Sequence, residues 1–270
     1  MKKFLGLMLA LVMMVVVTGC GSSSDSKDNS LEKIKEAGVI KIGTNSGYPP
    51  YEFYDTSNNQ KKLVGYDVDL GNAIAEKLGV KVEWVDIDFD ALIGSLQSGK
   101  FDIILAGMVD TPEREKSIDF SDPYYQSQTV AVVKKADVAN YKDASQYKGK
   151  TIVVQSGTTQ DDTAKAVTGA KVLELPGVTD SIASLTSGKA DALFIAEVSA
   201  KNIVAQYPEY TYTTIKGIDD ALLNDGASIG LPKGETALKD ELNSIIKELK
   251  DSGELDKMFN ENVALYDKLN

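Results

Sequence analysis

The octamer SLQSGKFD at residues 95–102 recurs as SLTSGKAD at residues 184–191, 89 positions further along the chain. A short apolar run follows each copy, IIL at 103–105 and ALFI at 192–195. In both places the pattern predicts the end of an amphipathic helix, a glycine that closes the helix, and then a buried parallel strand. The repeat therefore predicts two similar α/β units in one chain.

The segments around the two octamers also follow a common order. Strand-like segments at 39–44 and 151–154 each lead into a Ser-Gly turn, and helical and strand-like segments alternate after both turns. This alternation is typical of α/β proteins. The further predicted helices are 68–78, 159–167, 182–187, 235–249 and 254–265, and the further predicted strands are 80–85 and 172–175, with a hairpin formed by 51–54 and 63–66.

The chain crosses twice between the two predicted units. The strand-like segments 129–133 and 227–231 lie at these crossings, and we expect them to form a two-stranded hinge. The sequence thus predicts an α/β fold with two lobes. Lobe 1 is formed by 31–130 together with 229–270, and lobe 2 by 131–228.

The composition is that of an ordinary globular protein with an acidic surface. The 270 residues are 43% hydrophobic and 26% charged, and the net charge is −11. Because an acidic surface repels phosphate backbones, we expect no nucleic acid partner. The chain has no histidine and one cysteine, which excludes Ser-His-Asp and Cys-His catalysis, histidine-ligated zinc and internal disulfides. We expect neither a metal nor a cofactor.

The N-terminal residues have the features of an export leader. A basic start precedes an apolar run at 4–17, which is shorter than the ~20 residues that a membrane-spanning helix needs. The tetrapeptide VTGC at 17–20 is similar to the bacterial lipobox, which implies that 1–19 are a signal peptide and that Cys20 is lipidated. The small, polar residues 20–30 would then form a flexible linker. The alternative is a buried cysteine inside an ordinary anchor helix.

Arg114 is the only arginine in a chain that otherwise uses lysine for positive charge. A guanidinium binds a carboxylate through two parallel hydrogen bonds, which an ammonium group cannot do. Thr111, three residues earlier, can cap a short helix that carries the arginine. We therefore expect Arg114 to bind the carboxylate of a ligand. The alternative is a surface ion pair with Glu113 or Glu115.

Further candidates lie where the predicted strands end, because ligands of open parallel sheets bind beyond the carboxyl ends of the strands. Tyr48 and Phe89 could stack on a ligand or belong to the core. Gly107 could expose its backbone to a ligand or serve close packing. Residues 157–159, GTT, precede a predicted helix, where backbone N–H groups attract anions. The same three residues also fit a simple capped turn.

Six motifs, in order, resemble the polar amino-acid substrate-binding proteins of bacterial ABC importers, the extracellular solute-binding proteins of family 3. The resemblance extends from about residue 31 to residue 270. It implies the type II periplasmic-binding fold, whose two lobes close on an amino acid like a hinged clamp. The motifs are GTNSGYPPYEF at 43–53, GYDVDL at 65–70, DFDALI at 88–93, TPER at 111–114, FSDPYY at 120–125 and QSGTT at 155–159.

The resemblance also implies roles for individual residues. Arg114 pairs with the α-carboxylate of the ligand, and Thr159 supports it with its hydroxyl and backbone N–H. Gly107 offers its carbonyl to the α-ammonium group, while Tyr48 and Phe89 flank the ligand side chain. The other expected ligand-binding residues lie in or beside the same motifs: Asn45, Val109, Gln155, Thr158 and Glu197.

The chain departs from the family pattern at three places. Asn45 stands where members selective for cationic side chains often have aspartate, which favours a ligand with a neutral side chain. Val109 replaces a usual serine or threonine and leaves only its backbone N–H. The aspartate that holds the α-ammonium group falls on Ala196, with Glu197 next to it. Either Glu197 reaches into the site, or the ammonium group is held differently, or the ligand lacks one.

We therefore expect a monomeric receptor, anchored by a lipid at Cys20 to the outer face of the cell membrane, which captures an amino acid and presents it to an ABC permease. The first alternative is a dehydratase-like enzyme on the same fold, for which Glu197 is the evident proton donor or acceptor. A related alternative is a receptor for a small carboxylate without an α-amino group. The last is the sensing part of a signalling system.

Overall fold

Two β-sheets with helices packed around them form the protein. The computed structural model describes residues 28–58, 60–224 and 226–269, so the predicted signal peptide and Cys20 lie outside the described residues. Within these ranges no helix is long and apolar enough to cross a bilayer. The helices are α1 (Ser30–Ala37), α2 (Tyr66–Leu78), α3 (Leu92–Gln97), α4 (Thr159–Ala166), α5 (Val178–Thr186), α6 (Glu197–Gln206), α7 (Asp220–Leu223), α8 (Thr236–Asp251) and α9 (Glu254–Leu269). The strands are β1 (Val39–Thr44), β2 (Phe53–Asp55), β3 (Lys62–Val64), β4 (Lys81–Asp86), β5 (Ile103–Ile104), β6 (Asp119–Phe120), β7 (Thr129–Lys134), β8 (Thr151–Gln155), β9 (Lys171–Leu175), β10 (Ala192–Ala196), β11 (Tyr210–Thr213) and β12 (Gly230–Leu231).

The two large sheets have the same architecture. The first has the strand order β4-β1-β5-β12-β6 and the second β9-β8-β10-β7-β11. In each, three neighbouring parallel strands are followed by two antiparallel ones. Lobe 1 is built on the first sheet and lobe 2 on the second. The predicted two-lobe α/β fold is confirmed, and the predicted hairpin is present as β2 and β3.

The repeated octamer has the same backbone conformation and the same hydrogen bonds in both lobes. It begins with the last three residues of α3 in lobe 1 and of α5 in lobe 2, and its glycine has a φ of +73° or +75°, where a side chain would be strained. The Asp102 carboxylate accepts a hydrogen bond from the Lys41 N–H at 2.7 Å, and Asp191 accepts one from the Thr151 N–H at 2.8 Å. Both aspartates donate a backbone bond in return. The octamer therefore joins helix and strand, and it does not belong to a ligand site.

The crossings between the lobes differ in detail from the prediction. The predicted hinge segments 129–133 and 227–231 do not pair with each other, because β7 joins the second sheet and β12 the first. The two crossing segments instead bridge each other just outside the sheets, at Tyr125 with Ala227 and at Gln128 with Asn224. Each strand forms its ladder hydrogen bonds within its own lobe, and the two crossing segments meet each other at these short bridges.

Two helices differ from the sequence pattern at their N-terminal ends: α5 begins earlier than predicted, and α1 was not predicted. Helix α5 starts at Val178 rather than at residue 182, because Val178 is buried in the core of lobe 2. Helix α1 starts at Ser30, and the N–H groups of Asn29 and Ser30 both donate to the Glu235 carboxylate at 3.0 Å. The last residues of the predicted linker are thus fastened to the folded part of the chain.

Lobe 1 buries two carboxyl groups side by side. Glu52 is 1% exposed and Asp67 is fully buried. Asp67 accepts hydrogen bonds from the Gly107 N–H at 2.7 Å and from the Tyr124 hydroxyl at 2.9 Å. No described donor reaches either carboxyl oxygen of Glu52. Burial, and then the neighbouring charge of Asp67, raise the pKa of Glu52 well above its usual value, so we expect Glu52 to be the member of the pair that holds a proton.

Removal of the aspartate in one octamer tests its structural role. We expect Asp191→Ala to lower the free energy of unfolding by about 1 kcal/mol, since the Thr151 N–H loses a charged acceptor. Urea denaturation measures the change. The exposed Lys189 in the same turn supplies the control, and Lys189→Ala should cost less than about 0.5 kcal/mol. Equal effects of the two variants would show that the octamer aspartate does not join helix and strand.

The buried acid pair predicts how stability depends on pH. Above the usual glutamate pKa of 4.5 the unfolded chain releases the Glu52 proton, while the folded chain keeps it because its pKa is raised. The free energy of unfolding should therefore fall as the pH rises from about 4.5 toward neutrality, by roughly 1.4 kcal/mol per pH unit for the Glu52 proton. Asp67, whose pKa is also raised, adds to this slope below about pH 7.

The variant Glu52→Gln should lack this part of the slope. Urea denaturation at several pH values measures the slope in wild type and variant. The exposed residue Glu36 supplies the matched control, and Glu36→Gln should keep the wild-type slope. A Glu52→Gln protein with the full wild-type slope would contradict the assignment of the proton to Glu52.

Candidate ligand-binding cleft

A narrow cleft lies between the lobes. Its walls come from loops and helix ends that follow the strands of both sheets, as expected for open parallel sheets. The residues that line it are Tyr48, Phe89, Ala106, Gly107, Val109, Arg114, Gln155, Thr158, Thr159, Gln160, Val178, Ser181, Leu193, Phe194 and Ile195. The structure therefore brings most of the predicted ligand-binding residues into one cavity, and it leaves out Asn45 and Glu197.

Arg114 extends into the cleft from the wall of lobe 1. Its Nη1 donates to the Val109 carbonyl at 2.5 Å, and its Nη2 donates across the cleft to the Gly157 carbonyl at 3.0 Å. The guanidinium carbon lies 5.5 Å from the centre of the Phe89 ring. Glu113, which the alternative interpretation paired with Arg114, forms an ion pair with Lys116 instead. The carbonyls and the ring hold the guanidinium at the cleft.

On the opposite wall, helix α4 begins with a capped turn. The Thr158 hydroxyl accepts a hydrogen bond from the Asp161 N–H at 3.2 Å and donates to the Gln155 carbonyl at 2.8 Å. The next residue, Thr159, has a buried hydroxyl with no hydrogen-bond partner in the structure. Buried polar atoms in native proteins are nearly always paired. This hydroxyl and the positive end of the α4 dipole together suit an anionic ligand group.

Gly107 and Tyr48 form adjoining parts of the lobe 1 wall. Gly107 has a φ of +55°, and a Cβ atom there would lie 3.1 Å from the Tyr48 ring. Only glycine fits both the conformation and the space. The Tyr48 ring stacks on Tyr51 with 5.1 Å between the ring centres. The backbone carbonyl of Glu52 accepts from the N–H of Tyr48 at 2.9 Å. The tyrosine is thus set beside Gly107 by its own loop.

Asn45 supports the wall from outside the cleft. Its Oδ1 accepts a hydrogen bond from the Gln155 Nε2 of lobe 2 at 2.7 Å, and its Nδ2 donates to the Ile87 carbonyl at 2.8 Å. A further bond joins the lobes where the Ser199 hydroxyl donates to the Pro49 carbonyl at 2.9 Å. Together with the bond between Arg114 and Gly157, these contacts hold the lobes together around the cleft.

The structure does not bring Glu197 into the cleft. As the first residue of α6, Glu197 accepts a hydrogen bond from the Gln128 Nε2 at 2.9 Å and pairs with Lys201 at 3.0 Å. The bond from Gln128 and then the bond from Lys201 hold the pKa of its carboxyl below its usual value. Ala196 is fully buried and is also absent from the wall. The expected one-residue shift is not observed, because the carboxylate already has partners elsewhere.

The cleft has one charged side chain. Among the described residues that line it, Arg114 carries a positive charge, and the remaining side chains are apolar, amide, hydroxyl or phenol groups. A site with this balance attracts a carboxylate and offers no carboxylate of its own.

Several lining residues were not predicted. Val178 and Ser181 belong to the part of α5 that the sequence pattern did not predict as helix. Leu193, Phe194 and Ile195 in β10 also line the cleft, although the sequence pattern assigns their apolar side chains to the core. Gln160 directly follows the predicted GTT segment. Its place in the first turn of α4 is the signal that could have identified it.

Comparison with known proteins agrees with this geometry. Residues 40–263 match the model of the bacterial extracellular solute-binding proteins, family 3. The chain is 33% identical over 264 residues to the arginine-binding extracellular protein ArtP of Bacillus subtilis, with 96% of each chain covered.

Solved structures show the same relationship. One similar structure is the amino acid ABC transporter substrate-binding protein AbpA of Streptococcus pneumoniae bound to L-arginine, with a TM-score of 0.83, 32% identity, and 87% of this chain and 98% of that one covered. Another is the ancestral amino acid-binding protein AncCDT-1, a precursor of cyclohexadienyl dehydratase, with a TM-score of 0.78, 32% identity and 86% and 98% coverage. The sequence motifs, the paired sheets, the interlobe cleft and these similarities show that the chain belongs to the bacterial extracellular solute-binding proteins of family 3.

Proposed function

We propose that this protein is the binding component of an ABC importer and captures an amino acid with a neutral side chain between its lobes. The observation that carries the proposal is the unpartnered, buried hydroxyl of Thr159, which lines the same cleft as the guanidinium of Arg114. A hydroxyl, a helix N-terminus and a guanidinium around one cavity form a site for a carboxylate.

In this proposal the two ends of the ligand contact different walls. Arg114 and Thr159 bind the α-carboxylate, and the N-terminal turn of α4 contributes backbone N–H groups. The carbonyl of Gly107 accepts a hydrogen bond from the α-ammonium group. The rings of Tyr48 and Phe89 flank the ligand side chain. Closure of the lobes on the ligand buries these polar groups and strengthens their interactions.

The neutral side chain follows from what lines the cleft. A buried cationic side chain needs a carboxylate partner, and the described lining residues include neither aspartate nor glutamate. Asn45 uses its amide to hold Gln155, and both side chains are uncharged. A preference for a neutral side chain would distinguish the protein from relatives that bind arginine.

We further propose that the protein acts as a lipid-anchored monomer on the outer face of the cell membrane. Removal of residues 1–19 would leave Cys20 as the lipidated N-terminus, followed by a short linker. Asp28 is the first described residue, and its carboxylate accepts a hydrogen bond from the Ala237 N–H at 2.7 Å. The lobe limits 31–130 with 229–270, and 131–228, stay a prediction. The partner would be the permease that takes up the released amino acid.

Binding is the favoured activity over catalysis. General acid–base catalysis needs a titratable group within hydrogen-bond reach of the substrate, and the described wall offers no carboxyl, lysine or cysteine side chain. Glu197, the candidate for this role from sequence, is paired with Gln128 and Lys201. Because the described lining residues include no aspartate or glutamate, one second candidate is favoured, a receptor for carboxylate ligands that lack an α-amino group.

Arg114→Lys tests the central contact. We expect the variant to lose at least 90% of its affinity for the ligand, because an ammonium group cannot form the two parallel hydrogen bonds to a carboxylate. Its thermal midpoint without ligand should stay close to that of wild type. Isothermal titration measures the affinity. The reverse exchange Lys116→Arg, at an exposed position of the same turn, is the control and should bind like wild type. Near-native affinity of Arg114→Lys would refute the proposed carboxylate site.

A screen of ligands by thermal unfolding separates the two candidate ligand classes. Residues 26–270 are unfolded with each of the twenty amino acids and with their 2-oxo analogues. A ligand at about a hundred times its dissociation constant adds roughly 2.7 kcal/mol and should raise the midpoint by several degrees. We expect shifts with neutral amino acids. Shifts with 2-oxo acids alone would establish the second candidate.

The position of Glu197 generates a separate expectation. Because its carboxylate is engaged by Gln128 and Lys201, Glu197→Gln should change the affinities for an amino acid and for its 2-oxo analogue by the same factor. Titration of both ligands gives the two factors. A selective loss of the amino acid would show that Glu197 reaches the ammonium group after all.

A further inference from the structure

The proposed site has a partner for the ligand carboxylate but, in its wall, none of opposite charge for the ligand ammonium group. One candidate lies behind the lobe 1 wall, where the buried carboxylate of Asp67 accepts a hydrogen bond from the N–H of Gly107. We infer that Asp67 is a positioning residue that sets the Gly107 turn and supplies the negative charge for the amine end of the cleft, with Glu52 as its proton-carrying partner. This inference rests on the proposed function.

The first step is the geometry of the turn. The Gly107 N–H donates to Asp67 at 2.7 Å, while Gly107 has a φ of +55° and faces Tyr48 on its other side. Ala106 and Gly107 both line the cleft. Asp67 therefore lies one peptide unit from the surface that a ligand amine would contact. At that depth it cannot touch the ligand, but it determines which backbone groups the cleft presents.

The second step is where the charge resides. Two donors point at the Asp67 carboxylate, the Gly107 N–H and the Tyr124 hydroxyl, whereas no described donor reaches Glu52. Hydrogen bonds of this kind stabilise the ionised form of the group that accepts them. The pair therefore carries its negative charge on Asp67.

The third step is that, among the described residues, no cationic side chain neutralises this charge. The titratable side chains that interact with the pair are Asp86 at the end of β4, Tyr66 on α2 and Tyr124, and none of these three is cationic. A buried negative charge without a cationic partner is costly. A ligand ammonium group close to the Gly107 turn would supply that partner, and the low dielectric of the closed cleft would make the attraction strong.

The fourth step connects the charge to the crossing segments. Tyr124, which donates its hydroxyl to Asp67, also donates its N–H to the Ala227 carbonyl at 2.9 Å. The Tyr66 hydroxyl donates to the Tyr124 carbonyl at 3.1 Å. Asp67 thus contacts both the cleft wall and the segment through which the lobes are joined.

The test compares ligands with and without the amine. Wild type and Asp67→Asn are titrated at pH 7.5 with the neutral amino acids and their 2-oxo analogues, beginning with L-leucine and 4-methyl-2-oxopentanoate. The asparagine oxygen can still accept from the Gly107 N–H, so the turn is retained and the charge is removed. We expect at least a tenfold loss of affinity for the amino acid and less than a threefold loss for the 2-oxo acid.

A matched control lies on the same helix. Asp69 makes its hydrogen bond to Asn262 at 2.6 Å on the far side of α2, and Asp69→Asn should leave the ratio of the two affinities as it is in wild type. Equal losses of both ligands in Asp67→Asn, which leave the ratio of the two affinities unchanged, would overturn the inference and reduce Asp67 to a structural support. Wild-type protein that binds no amino acid would instead refute the proposed function itself.

A measurement on wild type keeps the inference falsifiable if Asp67→Asn fails to fold. Burial raises the pKa of Asp67 to about 7, while an amino acid keeps its ammonium and carboxylate charges between pH 5 and pH 8. As the pH falls through this range Asp67 gains a proton, so the affinity for the amino acid should fall severalfold relative to that for the 2-oxo acid. A ratio that does not change with pH would contradict the inference.

Discussion

The carboxylate of Asp67 is a constraint to which much of lobe 1 conforms. A fully buried carboxylate must have its oxygens satisfied, and here a backbone N–H and a tyrosine hydroxyl share the task. Each donor belongs to a different part of the lobe: the Gly107 turn and the crossing segment at Tyr124. The hydrogen bonds to this one carboxylate therefore fix the positions of a cleft wall and of the connection to lobe 2.

The cleft itself results from the doubled architecture. Both sheets have the same strand order, and both present the carboxyl ends of their parallel strands toward the interface. Lobe 1 brings a guanidinium to this interface, and lobe 2 brings a helix N-terminus with an unpartnered hydroxyl. Neither lobe alone forms a complete site for a carboxylate. In the proposed function, binding and closure are coupled for this reason, because the ligand would contact both walls only when the lobes are together.

The sequence predicted some residues of the site better than others. Arg114 was identified by its chemistry, and Thr158 and Thr159 by their place before a helix, since capping groups are recognisable from local sequence. Glu197 was a wrong expectation about placement. Its distance along the chain from the family's aspartate position is one residue, but at the start of a helix one residue turns a side chain by about 100°. The Glu197 carboxylate instead accepts a hydrogen bond from Gln128, a residue on a distant segment of the chain.

The sequence by itself determined the two-lobe α/β fold, the repeated helix-to-strand turn and the guanidinium of the cleft, because each depends on local periodicity, local backbone conformation or a single residue type. The tertiary structure alone decided that β7 and β12 join separate sheets, that α5 begins early enough to line the cleft, and that Glu52 is buried beside Asp67. These features depend on burial and on partners distant in sequence. Desolvation and long-range hydrogen bonds set them, and neither leaves a pattern in neighbouring residues.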